Sequence, residues 1–229
     1  MQILNLLGRA LLYLIRALGY SLGTIVIVAL AIAIKYLAIP LADKFLYTII
    51  ILGLLLKGIE IIELLNILVF SIVGMGFGVA TVLLPTQIGR QVSAALLITI
   101  VPFIFFITPI VRYNNWIETI GVNESIPPMQ AEALTNSFLK RKVGIPGFMG
   151  FYLYTAQFPV LPTKQTEMND RERLEKSVNS KFVQLTGIPP TVVSWTMAIC
   201  FWCIRIFYFA IAAIATIAHF REGLRIVKR

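Results

Sequence analysis

Apolar residues run through this chain in long blocks separated by short polar punctuation, and the blocks predict helices long enough to cross a bilayer. The first 20 residues are patterned differently. Gln2, Asn5, Arg9, Tyr13, Arg16 and Tyr20 recur every three or four positions, which gathers them on one helical face. Leucines and isoleucines occupy the rest. Two arginines on one stripe of an otherwise apolar helix suit the headgroup boundary, so residues 1–20 read as an amphipathic interfacial helix with Arg9 and Arg16 at the membrane surface.

Five apolar segments follow. Residues 17–42 form the first, interrupted by Lys35 and closed by Pro40, which cannot continue a helical ladder. Residues 45–56 form the second, reaching only about 18 Å at helix rise, against a hydrocarbon core of roughly 30 Å. The third, residues 64–84, and the fourth, 91–111, are full length. The fourth contains Pro102 and Pro109, seven apart, where helix kinks are expected. The fifth, residues 191–220, follows the helix-start signal Pro189-Pro190. The reading is an all-α polytopic bundle of four full spans, with one short or half-span helix at 45–56.

Residues 21–112 thus form an N-terminal membrane region, 113–190 an extramembrane loop, 191–220 a C-terminal span and 221–229 a basic tail. Within the loop, 129–142 begins after Pro127-Pro128 and ends in Lys140-Arg141-Lys142, where cations meet the negative end of a helix dipole. Residues 169–186 read as a second helix with Leu174, Val178, Phe182 and Leu185 on one stripe. Between them, 147–162 carries five aromatic residues and belongs on a membrane surface, in a partner's interface or against the loop's own helices.

Composition agrees with this pattern. Of 229 residues 58% are hydrophobic and 14% charged, and the mean hydropathy is +0.85. Soluble domains carry about 25% charged residues, which excludes that class. The net charge of +9 sits mostly beside apolar runs, where it meets anionic headgroups rather than nucleic acid. Arg221, Arg225, Lys228 and Arg229 mark the C-terminus as cytoplasmic-side, in a bacterial inner membrane or an organelle inner membrane.

The chemistry-bearing residues are few. Arg205 lies midway along the fifth segment, about 20 Å from either end, too deep for its side chain to snorkel out. It needs a partner, and Glu60 and Glu63 are the candidates, three apart on an expected helical face that Lys57 shares. Together these four residues read as an intramembrane polar site, either a structural ion pair or an ion path. Gly74 and Gly78 stand in a G-x-x-x-G relation that lets another helix pack closely. Cys200 and Cys203 read as small apolar fillers, since an apolar helix interior does not activate a thiolate. His219 is the single histidine, and the sequence holds no hydrolase, P-loop or metal-binding motif. No cofactor or metal is expected.

Two functions fit. One is a non-catalytic subunit of a larger membrane assembly, of translocation or energy-converting type, contacting other subunits or copies of itself. The other is a small channel or transporter built around Arg205 and Glu60/Glu63.

Overall fold

The structure is a computed structural model that describes residues 2–46, 56, 60–158, 161–170 and 189–227. Its regular elements, among the described residues, are all helical. The α-helices given labels are α1 (Gln2–Leu41), α2 (Leu65–Ala80), α3 (Thr86–Glu124), α4 (Pro128–Val143), α5 (Gly147–Thr155) and α6 (Pro190–Ile226). A π-helical turn, Ala42–Leu46, follows α1, and 3₁₀ turns at Ile61–Leu64 and Thr81–Leu83 bracket α2. Among the described residues four stretches are long and apolar enough to cross a membrane: Leu7–Leu41, Ile61–Leu83, Gln87–Glu124 and Ala198–Ile226. The protein is of the membrane-embedded class.

Several expected boundaries move. Helix α1 passes position 20 without a break, and residues 7–18 are exposed on every side. Its buried stripe starts at Tyr20 and continues through Thr24, Ala31, Lys35 and Ile39 at helical spacing. The fourth segment does not stop at Val111. Helix α3 runs to Glu124, because Arg112-Tyr113-Asn114-Asn115 lowers hydropathy but contains no helix breaker, and Tyr113, Trp116 and Ile120 keep burying one face. Helix α6 likewise continues past Phe220 to Ile226. The short segment 45–56 and the helix expected over 169–186 fall largely outside the described residues.

The chain divides into two compact units. The first comprises Met1–Leu41, Ile62–Thr108 and Phe207–Arg229. Its core is the stripe of α2 at Asn66, Val69, Phe70, Val73, Gly74, Phe77 and Gly78, spaced as one helical face. Against it lie the buried positions of α1, and Tyr20 on α1 is hydrogen-bonded to Ser93 on α3 at 2.7 Å. Glycines set the closest approach. A Cβ added to Gly78 would stand 2.5 Å from the Phe220 carbonyl oxygen, and one on Gly74 would collide with the Thr216 carbonyl. Gly223 reciprocates: a Cβ added there would stand 3.0 Å from the Gly78 Cα. The G-x-x-x-G pair is therefore consumed inside the chain, holding α2 against the last turns of α6.

The second unit comprises Ala42–Ile61 and Pro109–Ile206. Helix α4 begins with Pro128 at its first position and closes at Gly144, whose φ of 81° places it in the left-handed region that caps helices. The aromatic stretch expected at 147–162 folds onto the unit's own core. Phe151 and Tyr154 of α5 are buried with Tyr113, Trp116 and Ile120 of α3, Ala131, Phe138 and Leu139 of α4, and Met168. Polar ends are satisfied: Trp116 donates its indole N–H to the Pro162 carbonyl at 2.7 Å, and Asn136 accepts from the Tyr113 hydroxyl at 3.0 Å and the Gly147 amide at 2.8 Å.

A further helix begins at 165, and its N-terminus is held by two carboxylates. Glu124 accepts the Gln165 amide and Glu167 accepts the Thr163 amide, each at 2.7 Å. The backbone hydrogen bond from Thr163 holds the Glu167 carboxyl below the usual glutamate range. A lowered folded value means that the stabilisation is present above the unfolded value and is lost as pH falls through the folded one. Glu167→Gln is expected to cost less than about 1 kcal/mol at neutral pH and to remove this acid dependence. Hydrogen exchange at the Thr163 amide measures it. Protection that declines equally on acidification in parent and variant would refute the assignment.

Candidate functional site: two buried ion pairs

In the second unit Arg205 is 4% exposed on α6, and its guanidinium makes four hydrogen bonds. Glu60 meets it bidentately, with Oε2 accepting from Nε at 3.2 Å and Oε1 from Nη2 at 2.7 Å. The remaining donors turn to α5: Nη1 to the Tyr152 carbonyl and Nη2 to the Thr155 hydroxyl at 2.9 Å. The cation also sits over the Tyr152 ring, 4.1 Å from its centroid. Tyr152 lies in the last turn of α5, where carbonyls lack intrahelical donors and the dipole is negative. One guanidinium thus neutralises a carboxylate and caps a helix end, using the fork geometry that lysine lacks.

Glu60 occupies a turn with φ of 52°, in the left-handed region. That residue breaks helical continuity before the 3₁₀ turn Ile61–Leu64, so the helical face expected for Glu60 and Glu63 does not form. The four-residue polar site expected from the sequence accordingly divides. Glu60 takes Arg205, Glu63 belongs to the first unit and takes another cation, and Lys57 lies outside the described residues.

That other cation is Lys35. Its Nζ lies 3.6 Å from Glu63 Oε2, and the two side chains are 2% and 7% exposed. Nζ also donates to the Ile104 and Phe105 carbonyls, both at 3.2 Å, and stands over the rings of Phe70 and Phe105 at 6.0 and 5.6 Å. The Phe105 carbonyl is available for a chemical reason. Four residues further along α3 stands Pro109, which has no N–H to offer it. A proline in a membrane helix leaves a carbonyl to be satisfied from elsewhere, and here a lysine from α1 does so. Asn66 completes the group, donating from Nδ2 to Glu63 Oε2 at 2.7 Å.

Sequence reasoning missed Lys35 and Asn66 as members of a site, along with Gly223, Tyr152 and Thr155. For Lys35 a signal existed: four residues before Ile39 and four after Ala31, it shares the buried stripe of α1. For the Tyr152 carbonyl none did, because a backbone carbonyl carries no sequence signature.

The other expected positions are plain. Arg9 and Arg16 are exposed on α1. Pro102 lines an apolar cleft of about 410 Å³ in the first unit with Leu97, Val101, Phe209, Ala213 and Ile217. Its walls are hydrocarbon, suited to an aliphatic chain and not to an ion. Cys200 and Cys203 are free and exposed on α6. The ring Nδ1 of His219 is hydrogen-bonded to the Ala215 carbonyl at 2.9 Å. Among the described residues no group of three or more His, Cys, Asp or Glu could hold a metal ion. Comparisons with known protein families, curated proteins and solved structures find no match to this chain.

Proposed function

We propose that this chain is a non-catalytic polytopic subunit of a larger membrane assembly, of translocation or energy-converting type. The observation that supports it is how buried charge is spent. Arg205 and Lys35 direct their donors at carboxylates and carbonyls of the chain's own elements, so each cation acts as a clamp between segments. What the spans turn outward is apolar. Between 22% and 50% of the most hydropathic window of each is buried within the chain, and the rest meets lipid or neighbouring subunits.

In this reading Arg9 and Arg16 lie among anionic headgroups and α1 enters the bilayer from its surface. Arg221 and Arg225 hold the C-terminus on the cytoplasmic side of an inner membrane. The chain makes four crossings. Purification from native membranes in mild detergent tests the assembly. Comigration with defined proteins or with further copies of the chain is expected, and a monodisperse monomer with nothing bound would overturn the proposal.

A second reading, a small channel or transporter, is favoured by the Lys35–Glu63–Asn66 group, a buried polar cluster within an apolar bundle. Ion flux through reconstituted vesicles, lost in Arg205→Gln and in Glu63→Gln, would select it over the first.

A further inference from the structure

One hydrogen-bond acceptor in the Lys35 cluster is left over. Asn66 is fully buried and its Nδ2 serves Glu63, yet its Oδ1 has no hydrogen-bond partner among the described residues. An unmatched buried amide oxygen costs about 1–3 kcal/mol, and apolar surroundings raise the penalty. The group that Asn66 already holds through Nδ2 is the Glu63 carboxyl, and its ionised form offers acceptors only. The protonated form carries one O–H donor. A carboxylic acid facing a primary amide makes two bonds, amide N–H to one carboxyl oxygen and carboxyl O–H to the amide oxygen. The first of these is already in place.

We propose that Glu63 is an intramembrane proton-binding carboxyl, with Asn66 as the amide that serves both of its forms. Toward the carboxylate Asn66 offers Nδ2–H. Toward the acid it offers Oδ1 as well, and the one orphan acceptor of the cluster gains its donor. The step balances without a further reactant. A hydronium O–H bond breaks, its electron pair stays with the departing water, and a carboxylate lone pair forms the new O–H on Glu63. The reverse step returns the proton.

Lys35 makes the exchange reversible. Were Glu63 its sole partner, neutralising the carboxylate would strand a buried ammonium. Its Nζ instead keeps two carbonyls, Ile104 and Phe105, and the faces of Phe70 and Phe105 whatever the state of Glu63. The ion-pair distance of 3.6 Å against 2.7 Å for Arg205–Glu60 agrees with a looser hold on this carboxylate. Among the described residues the groups in contact with Glu63 are Lys35 from α1, which is charged, and Asn66 from α2. This adds a proton-exchange function to the molecule, and it stands whether or not the chain belongs to an assembly.

Infrared difference spectroscopy of the full chain in lipid nanodiscs, stepped from alkaline to acidic pH, tests it. A protonated-carboxyl C=O band should rise on acidification and shift in D₂O. Its Glu63 component, the part missing from Glu63→Gln, should be displaced to higher frequency in Asn66→Leu, where both amide bonds are lost. A parent spectrum with no such band overturns the proposal. So does a band kept at full amplitude in Glu63→Gln, or left at its original frequency in Asn66→Leu. Should Glu63→Gln fail to fold, the parent and folded Asn66→Leu spectra decide.

Discussion

Leucine at Gly78 is expected to lower stability by about 3 kcal/mol, the upper end of what overpacking costs, and to drop the melting temperature by roughly 10 °C for a chain of this size. The atoms that a Cβ would meet are the Phe220 carbonyl oxygen at 2.5 Å and the Gly223 Cα at 3.0 Å. Both are backbone, and neither swings aside as a side-chain tip does. The helices must part, and every contact along that seam weakens together because dispersion falls steeply with separation. Gly23 is the control, with nothing within 4 Å of an added Cβ. Gly23→Ala should leave stability unchanged or raise it by up to about 1 kcal/mol. Melting of the purified variants in one detergent separates the two cases. Equal melting of Gly78→Leu and parent would mean that α2 and α6 do not meet at this seam.

Removing the guanidinium of Arg205 should cost about 3–5 kcal/mol, the range for breaking a buried pair by deleting one partner. The larger part of that is the carboxylate left behind. Glu60 is 17% exposed at its side chain and has no route to full hydration. The double variant Arg205→Met/Glu60→Gln should therefore recover most of the loss, because neutral groups of similar volume replace the pair without stranding a charge. Arg205→Lys should recover little, since an ammonium cannot serve Glu60, the Tyr152 carbonyl and Thr155 with one planar fork. A double-mutant cycle on thermal unfolding reads the coupling. Additive losses for Arg205→Met and Glu60→Gln would end the idea of a functional pair.

These two effects show what the sequence makes legible. Arg205 announced itself because an arginine deep in an apolar run has few places to go, and the short supply of acids pointed to Glu60 and Glu63, of which Glu60 is the partner. Gly74 and Gly78 were equally plain, since their spacing alone presents a groove. The fate of Glu63 was not readable. It follows from the left-handed backbone at Glu60, a conformation that a non-glycine residue adopts only under tertiary constraint. Lys35 was misjudged for a related reason. A lysine that interrupts a hydropathy run looks like the edge of a span, and hydropathy averages over the helical period that places it on the buried stripe. The length of α3 escaped for the same cause, because a fall in hydropathy marks a change of surroundings and not an end of helix.

The clamp at Lys35 also has a history within each molecule. A ribosome makes a chain from its N-terminal side, so Lys35 is synthesised before Glu63 and Asn66, and well before the carbonyls of Ile104 and Phe105 that it will hold. A lone lysine at the centre of an inserting helix costs about 2.5–3.5 kcal/mol on the insertion scale, and Lys35, toward the C-terminal end of α1, costs less than that. Helix α1 can carry that debt alone, since its most apolar window within Leu7–Leu41 has a mean hydropathy of 2.4. Arg205 faces no such wait. When it emerges, Glu60 and the end of α5 already exist, and the last span closes onto partners made before it.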